Sequence, residues 1–188
     1  MNDATKVTMG KPAVSGAISV APLGSTLPTS ATATLDGAFK TLGYISDGGF
    51  VNSNSPSTEQ IKAWGGDIVA TPLTEKADTF QTTFIEALDV NVLSLIYGSA
   101  NVTGTLAGGI TVRANSSDPE PVAMVCDMIM TGGVLKRIVI PNAVLTDLGD
   151  INYVDNDVVG YEATFTALPG DNTFDYDTHK EYIIEPAS

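Results

Sequence analysis

Short apolar runs broken by Gly, Pro, Asn and Asp fill most of the chain, a spacing that predicts many short strands. A first strand is expected over Ser15–Ala21, where Ala17, Ser19 and Ala21 alternate with Gly16, Ile18 and Val20, before Pro22-Leu23-Gly24 ends it. Thr, Ser and Ala make residues 25–34 a loop, and Lys40–Ser46 resumes as strand. Residues 47–66 are too polar and Gly-rich to pack, so they read as a long projecting loop or hairpin with Ser57–Ala63 as one arm. Asp67–Thr71 and Lys76–Ile85 follow as strands; in the second, Phe80, Thr82 and Phe84 share one face and Thr79, Gln81 and Thr83 the other.

The period changes once. Ala87, Leu88, Val92, Leu93, Leu95 and Ile96 recur at spacings of three and four, which predicts an amphipathic helix over Glu86–Tyr97 closed by Gly98. Strands are expected again at Ile110–Ala114, Val122–Met130, Val134–Ile140, Val144–Tyr153 and Val158–Ala167. Gly132-Gly133 and Asp155-Asn156-Asp157 read as the tight links of two hairpins. The tail, 171–188, holds five acids against Lys180, with a short edge strand at Tyr182–Ile184. The fold class is all-β with one flanking α-helix, as two packed β-sheets in a sandwich or open barrel, and a single domain spans 1–188.

Composition narrows the function. At 188 residues, 43% apolar and 16% charged, the chain can bury a core and lacks the charge density of a disordered segment. Its 9 Lys and Arg against 22 Asp and Glu give a net charge of −13, which excludes gripping a phosphate backbone by counterion release. A single cysteine, Cys126, excludes an internal disulfide framework, and a single histidine, His179, excludes two-histidine metal motifs. With no apolar run of signal-peptide or membrane-span length, synthesis in a reducing cytoplasm and no membrane partner are expected.

Candidate chemistry is sparse. Gly10-Lys11 is followed by Pro12 and residues 104–109 hold no lysine, so neither makes a phosphate loop. No Gly-x-Ser-x-Gly elbow occurs. His179 reads as a solvated surface residue, Cys126 as a small core residue, and Asp171, Asp175, Asp177 and Glu181 as a solvated acidic tail whose spacing fails the calcium-loop rule. No catalytic residue, metal ligand or cofactor is expected. Trp64, the only tryptophan, serves equally as a core anchor or an interface anchor.

Taken in order, these pieces resemble the major tail, or tail tube, proteins of long-tailed (siphovirus-type) bacteriophages. The resemblance is carried by Gly16-Ala-Ile-Ser-Val-Ala-Pro-Leu-Gly24 with Leu27-Pro28-Thr29, by residues 42–49, and above all by Ile61-Lys62-Ala63-Trp64-Gly65-Gly66-Asp67. Residues 84–88, 136–143 and 159–165 complete it, so that it covers roughly Ser15 to Leu168. It implies a structural virion protein that forms rings, generally hexameric, stacked into a hollow tube, with long loops and terminal arms joining the rings. It implies further copies of itself as partners, together with the tape measure, terminator and tail-tip proteins, and DNA passing through the lumen without specific binding. Candidate self-assembly residues are Asp47, Gly48, Gly49 and Phe50 with Trp64, Gly65, Gly66 and Asp67.

The chain's own physics suits that role. Segments 1–14, 47–66 and 171–188 are long for connections inside a compact domain, and neighbouring subunits could order them. Acidic charge facing a bore would keep DNA centred, whereas charge on the outer face would serve solubility. Two other classes stay open on sequence alone: a monomeric β-sandwich recognising carbohydrate or protein, and an enzyme with a pair of carboxylates such as a glycosidase.

Overall fold

The computed structural model describes residues 3–13 and 16–185. Among these, strands β1 (Gly10–Pro12), β2 (Ile18–Pro22), β3 (Lys40–Thr41), β4 (Val51–Thr58), β5 (Ile61–Lys62), β6 (Ile68–Ala70) and β7 (Leu73–Phe84) precede helix α1 (Val90–Tyr97). After it come β8 (Val102–Thr105), β9 (Gly109–Val112), β10 (Val122–Met130), β11 (Leu135–Leu148), β12 (Tyr161–Leu168) and β13 (Lys180–Ile184). The class is therefore all-β with one flanking helix, as expected.

Nine strands form a single antiparallel sheet in the order β3-β2-β10-β11-β12-β7-β4, with β1 added to the far end of β10 and β13 to that of β11. Its two ends meet. The stretch that begins as β3 bonds first to β2, through Leu42 N–H to the Ile18 carbonyl at 2.9 Å. It then crosses to β7, through Ser46 N–H to the Thr83 carbonyl at 2.9 Å and Ile85 N–H to the Tyr44 carbonyl at 3.1 Å, with Ile45 paired to Phe84. The two expected layers are thus opposite walls of one curled sheet, and closure removes most of the edge that an open sandwich would leave.

Inward side chains from every wall fill the enclosed space. Ile18, Leu42, Phe80, Phe84, Met124, Cys126, Ile140 and Phe165 belong to one buried cluster, capped by Val92, Leu93 and Ile96 of α1. Helix α1 is shorter at its start than the apolar spacing predicts, because Asp89 stops it. The Asp89 carboxylate accepts the backbone N–H groups of Asn91 and Val92 at 2.6 and 3.3 Å, a side-chain cap that fixes the first turn at Val90.

β10 and β11 are apolar on both faces, and a second small core lies outside the barrel against Val125 and Val139. Phe174, Leu27, Leu35, Phe39 and Tyr182 cover it. Arg137, buried on β11, holds that cover down: it grips Asp127 with two bonds of 2.6 and 2.9 Å and donates to the Ser30 and Ala33 carbonyls at 3.1 and 2.6 Å.

Three expectations change here. Val134–Ile140 and Val144–Tyr153 are largely one strand, because Pro141 sits at a bulge where Pro141 and Asn142 together oppose Ala123, a position that needs no ladder N–H. The link after it is then a long loop, 149–160, instead of a tight turn. The N- and C-terminal segments, expected as free arms, dock on the body: β1 pairs with β10, and β13 pairs with β11 while Phe174 is buried in the outer core. Their outermost residues (Met1, Asn2, Val14 and Pro186–Ser188), like Ser15 of the first expected strand, lie outside the described residues. By contrast Gly132-Gly133 does make the β10–β11 turn, with positive φ at both glycines.

Candidate functional site: a projecting arm and an apolar groove

The polar segment 47–66, expected as a projecting loop or hairpin, lies within a longer two-stranded ribbon. β7 leaves the barrel where its pairing with β12 ends, at Thr79, and continues outward paired only with β4. Beyond that shaft, β5 and β6 form the tip, closed by Ala63 N–H to the Asp67 carbonyl at 2.7 Å and Gly66 N–H to the Ala63 carbonyl at 3.0 Å. From Ala77 to the tip the ribbon extends roughly 30 Å, at about 3.3 Å per residue.

Its sequence explains both its form and its exposure. The β4 side chains Asn52, Ser53, Asn54, Ser55, Ser57 and Thr58 are polar and all exposed, and Pro56 sits on the outer edge where no ladder donor is needed. Gly65 and Gly66 take φ of 121° and 98°, which a residue with a Cβ rarely adopts, so the tip turn requires glycine there. Trp64 stands on that turn wholly in solvent, at 107% relative exposure, with Ile61, Ile68, Val69 and Leu73 exposed near it. A two-stranded ribbon is marginal in water on its own, and an apolar tip on it calls for a partner surface.

The root of the arm is built differently. Phe50 stacks on Phe80 at 5.2 Å between ring centres, and the Thr82 hydroxyl donates to the Gly49 carbonyl at 2.9 Å. Asp78, 2% exposed, accepts from Asn52 at 2.8 Å on one oxygen and from Thr178 at 2.6 Å on the other, which also lies 2.6 Å from His179 Nδ1. His179, expected as a solvated surface residue, is instead mostly buried, edge-on to Phe80 at 5.3 Å. β13 begins immediately after it, and that pairing carries the histidine to the arm's base. Burial disfavours the Asp78 carboxylate, but the hydrogen bonds from Thr178, Asn52 and His179, with the charge of His179, outweigh burial and hold its pKa below the ordinary value.

The eight candidate residues therefore fall into two groups. Asp47, Gly48, Gly49 and Phe50 lie in the turn at the root, and Trp64, Gly65, Gly66 and Asp67 form the tip. The β4 half of the shaft between them lies inside the expected segment 47–66, whereas its β7 half, and the groove described next, were not singled out by the sequence reading.

At the opposite end of β7 lies an apolar groove of about 1130 Å³, between the start of α1, the β8–β9 hairpin and the loop 149–160. Leu88, Leu106, Ile110, Val112, Tyr153 and Val158 line it, and all but Ile110 are substantially exposed. Tyr161 forms part of its wall, edge-on to Tyr97 at 6.1 Å; burial first, then the neighbouring Tyr97 and Tyr153, push its phenol up to about 12. Glu86 and Asp89 also border the groove, and Asp150, Asp155 and Asp157 lie on its loop. β8–β9 falls in the stretch where sequence pattern was weakest, and only the spatial meeting of three separate segments makes the groove.

Among the described residues no group of three or more His, Cys, Asp or Glu could hold a metal ion, and no helix is long and apolar enough to cross a membrane. Cys126 is buried on β10, where burial, reinforced by Asp127, pushes its thiol up to about 12. No curated protein matches the chain. The phage tail tube protein family, however, matches residues 2–179, nearly the entire length, and this places the chain in that family as a structural component of the phage tail.

Proposed function

We propose that the protein assembles with copies of itself into rings, hexameric as in the resemblance above, that stack into the tube of a siphovirus-type tail. The observation that carries this reading is the arm: a long polar ribbon ending in exposed Trp64, on a domain whose own core is already closed without it. Such a feature adds no side chain to the core of a lone subunit and fits a contact between subunits. The residues of the root turn and of the tip are its assembly elements, and the tape measure, terminator and tail-tip proteins are the further partners of the finished tube. The subunit is made in the host cytoplasm and acts in the virion without catalysis of its own.

Charge supports the tube's use as a conduit for DNA during ejection. Between Arg137 and Lys180 the sequence carries eight acids and no lysine or arginine, so one continuous stretch, more than a fifth of the chain, repels a phosphate backbone. Part of that charge facing the bore would leave DNA mobile within it, although screening confines the effect to about 8 Å at physiological salt. Electron microscopy of the purified protein, alone and mixed with tail-tip proteins, tests the reading. Rings or tubes of uniform bore are expected; particles that stay monomeric in both conditions would overturn it.

A further inference from the structure

We infer that the arm tip of one subunit, led by Trp64, seats in the apolar groove between α1, the β8–β9 hairpin and loop 149–160 of a second copy. This rests on the self-assembly reading and names the two surfaces that meet. The tip and groove lie at opposite ends of β7: the arm continues from its first residues, and the groove begins at Ile85, just past its last. Twelve residues of strand separate them by about 40 Å, so no arm can fold back into its own groove. A donor at one pole and an acceptor at the other make a head-to-tail contact, which propagates along an axis instead of closing on a pair.

The two surfaces also match in chemistry. The groove offers a wall of exposed Leu88, Leu106, Val112, Tyr153 and Val158, which water covers at a cost in an isolated subunit. The tip offers Trp64 with Ile61, Ile68 and Val69, and Trp64 alone can bury roughly 150–250 Å². A volume of about 1130 Å³ leaves room for an indole and its aliphatic neighbours. Lys62, exposed on the tip, would approach the acidic margin formed by Glu86, Asp89 and the loop carboxylates. One such contact is small by the standard of stable interfaces, but every subunit of a ring makes one, and the parallel contacts reinforce each other.

Three variants test the seating: Trp64→Ala, Trp64→Phe and Leu106→Asp. Both positions are exposed in the subunit, so unchanged circular dichroism and melting are expected. Assembly is followed by sedimentation and electron microscopy. Trp64→Ala and Leu106→Asp should each raise the concentration at which tubes form by roughly 30-fold, the size of a hot-spot truncation, while Trp64→Phe retains most of the assembly. In an Ala63→Cys, Ala107→Cys chain, which substitutes exposed neighbours and keeps Trp64 and Leu106, a short thiol-to-thiol cross-linker should give a ladder of covalent oligomers from assembled material. Cys126 is buried and stays out of that reaction.

Tubes that form normally in both Trp64→Ala and Leu106→Asp, or a doubly substituted chain that assembles yet yields no ladder, would overturn the seating and leave the tube reading intact. A wild-type chain that never assembles and whose doubly substituted version gives no ladder at high concentration would overturn both.

Discussion

Asp78 is the residue on which the arm's attachment turns. It joins β7 to β4 through Asn52 and to the segment before β13 through Thr178 and His179, so one carboxylate ties two strands and the lead-in to a third at the point where the ribbon leaves the barrel. Replacing it by Asn removes the charge and turns one acceptor into a donor facing other donors. A loss of roughly 1–3 kcal/mol in unfolding free energy is expected, measured by denaturant titration at neutral pH. The pH dependence has a definite sign. Because the folded-state pKa lies below the ordinary 3.8, the native state favours the ionised form. Its contribution is complete above pH 3.8 and lost as pH falls through the lower folded value. Stability curves of wild type and Asp78→Asn should therefore converge in acid and separate above it; curves that stay parallel would contradict this account. Sequence could not reveal the knot, since Asp78 and His179 are a hundred residues apart and meet only because β13 pairs with β11.

At the scale of elements, the arm is separable from the body. Every described side chain of residues 51–74 is exposed, whereas the barrel core is drawn from elsewhere in the chain. Deleting Glu59–Pro72 and joining Thr58 to Leu73 through an Asn-Gly turn should leave the melting temperature within a few degrees of wild type while abolishing tube formation, as read by calorimetry and electron microscopy. A large drop in melting temperature would mean that the arm contributes to the fold itself. This element was legible in sequence because polarity and glycine run together from Asp47 to Gly66, and the strong two-residue alternation in β7 was legible too. The failures have physical causes. Apolar spacing of three and four from Ala87 invited a longer helix, but a capping carboxylate at Asp89 decides where hydrogen bonding starts. Pro141 read as a strand end, but a bulge accommodates it within β11. The acidic tail read as solvated because charge dominates its composition, while a single buried Phe174 and five residues of pairing with β11 anchor it.

For the whole molecule, the balance to be struck is between apolar contact at the poles and like charge everywhere. Each subunit carries −13, and the proposed stacking would bring many such subunits within a few tens of ångströms of one another. At about 0.01 M salt the screening length is about 30 Å, comparable to the length of the arm, so neighbouring subunits repel across the full contact; at about 0.1 M it falls to about 10 Å and repulsion is confined to facing side chains. The apolar term from Trp64 and the groove is not weakened by the same change. Tube formation should accordingly strengthen as sodium chloride rises from about 0.01 to 0.15 M, with the concentration needed for assembly falling, as followed by light scattering and sedimentation. Were ion pairs such as one from Lys62 the main attraction, the trend would reverse. The direction of the salt dependence therefore separates an apolar lock between repelling subunits from a contact held by charge, and an assembly that weakens with salt would exclude the first.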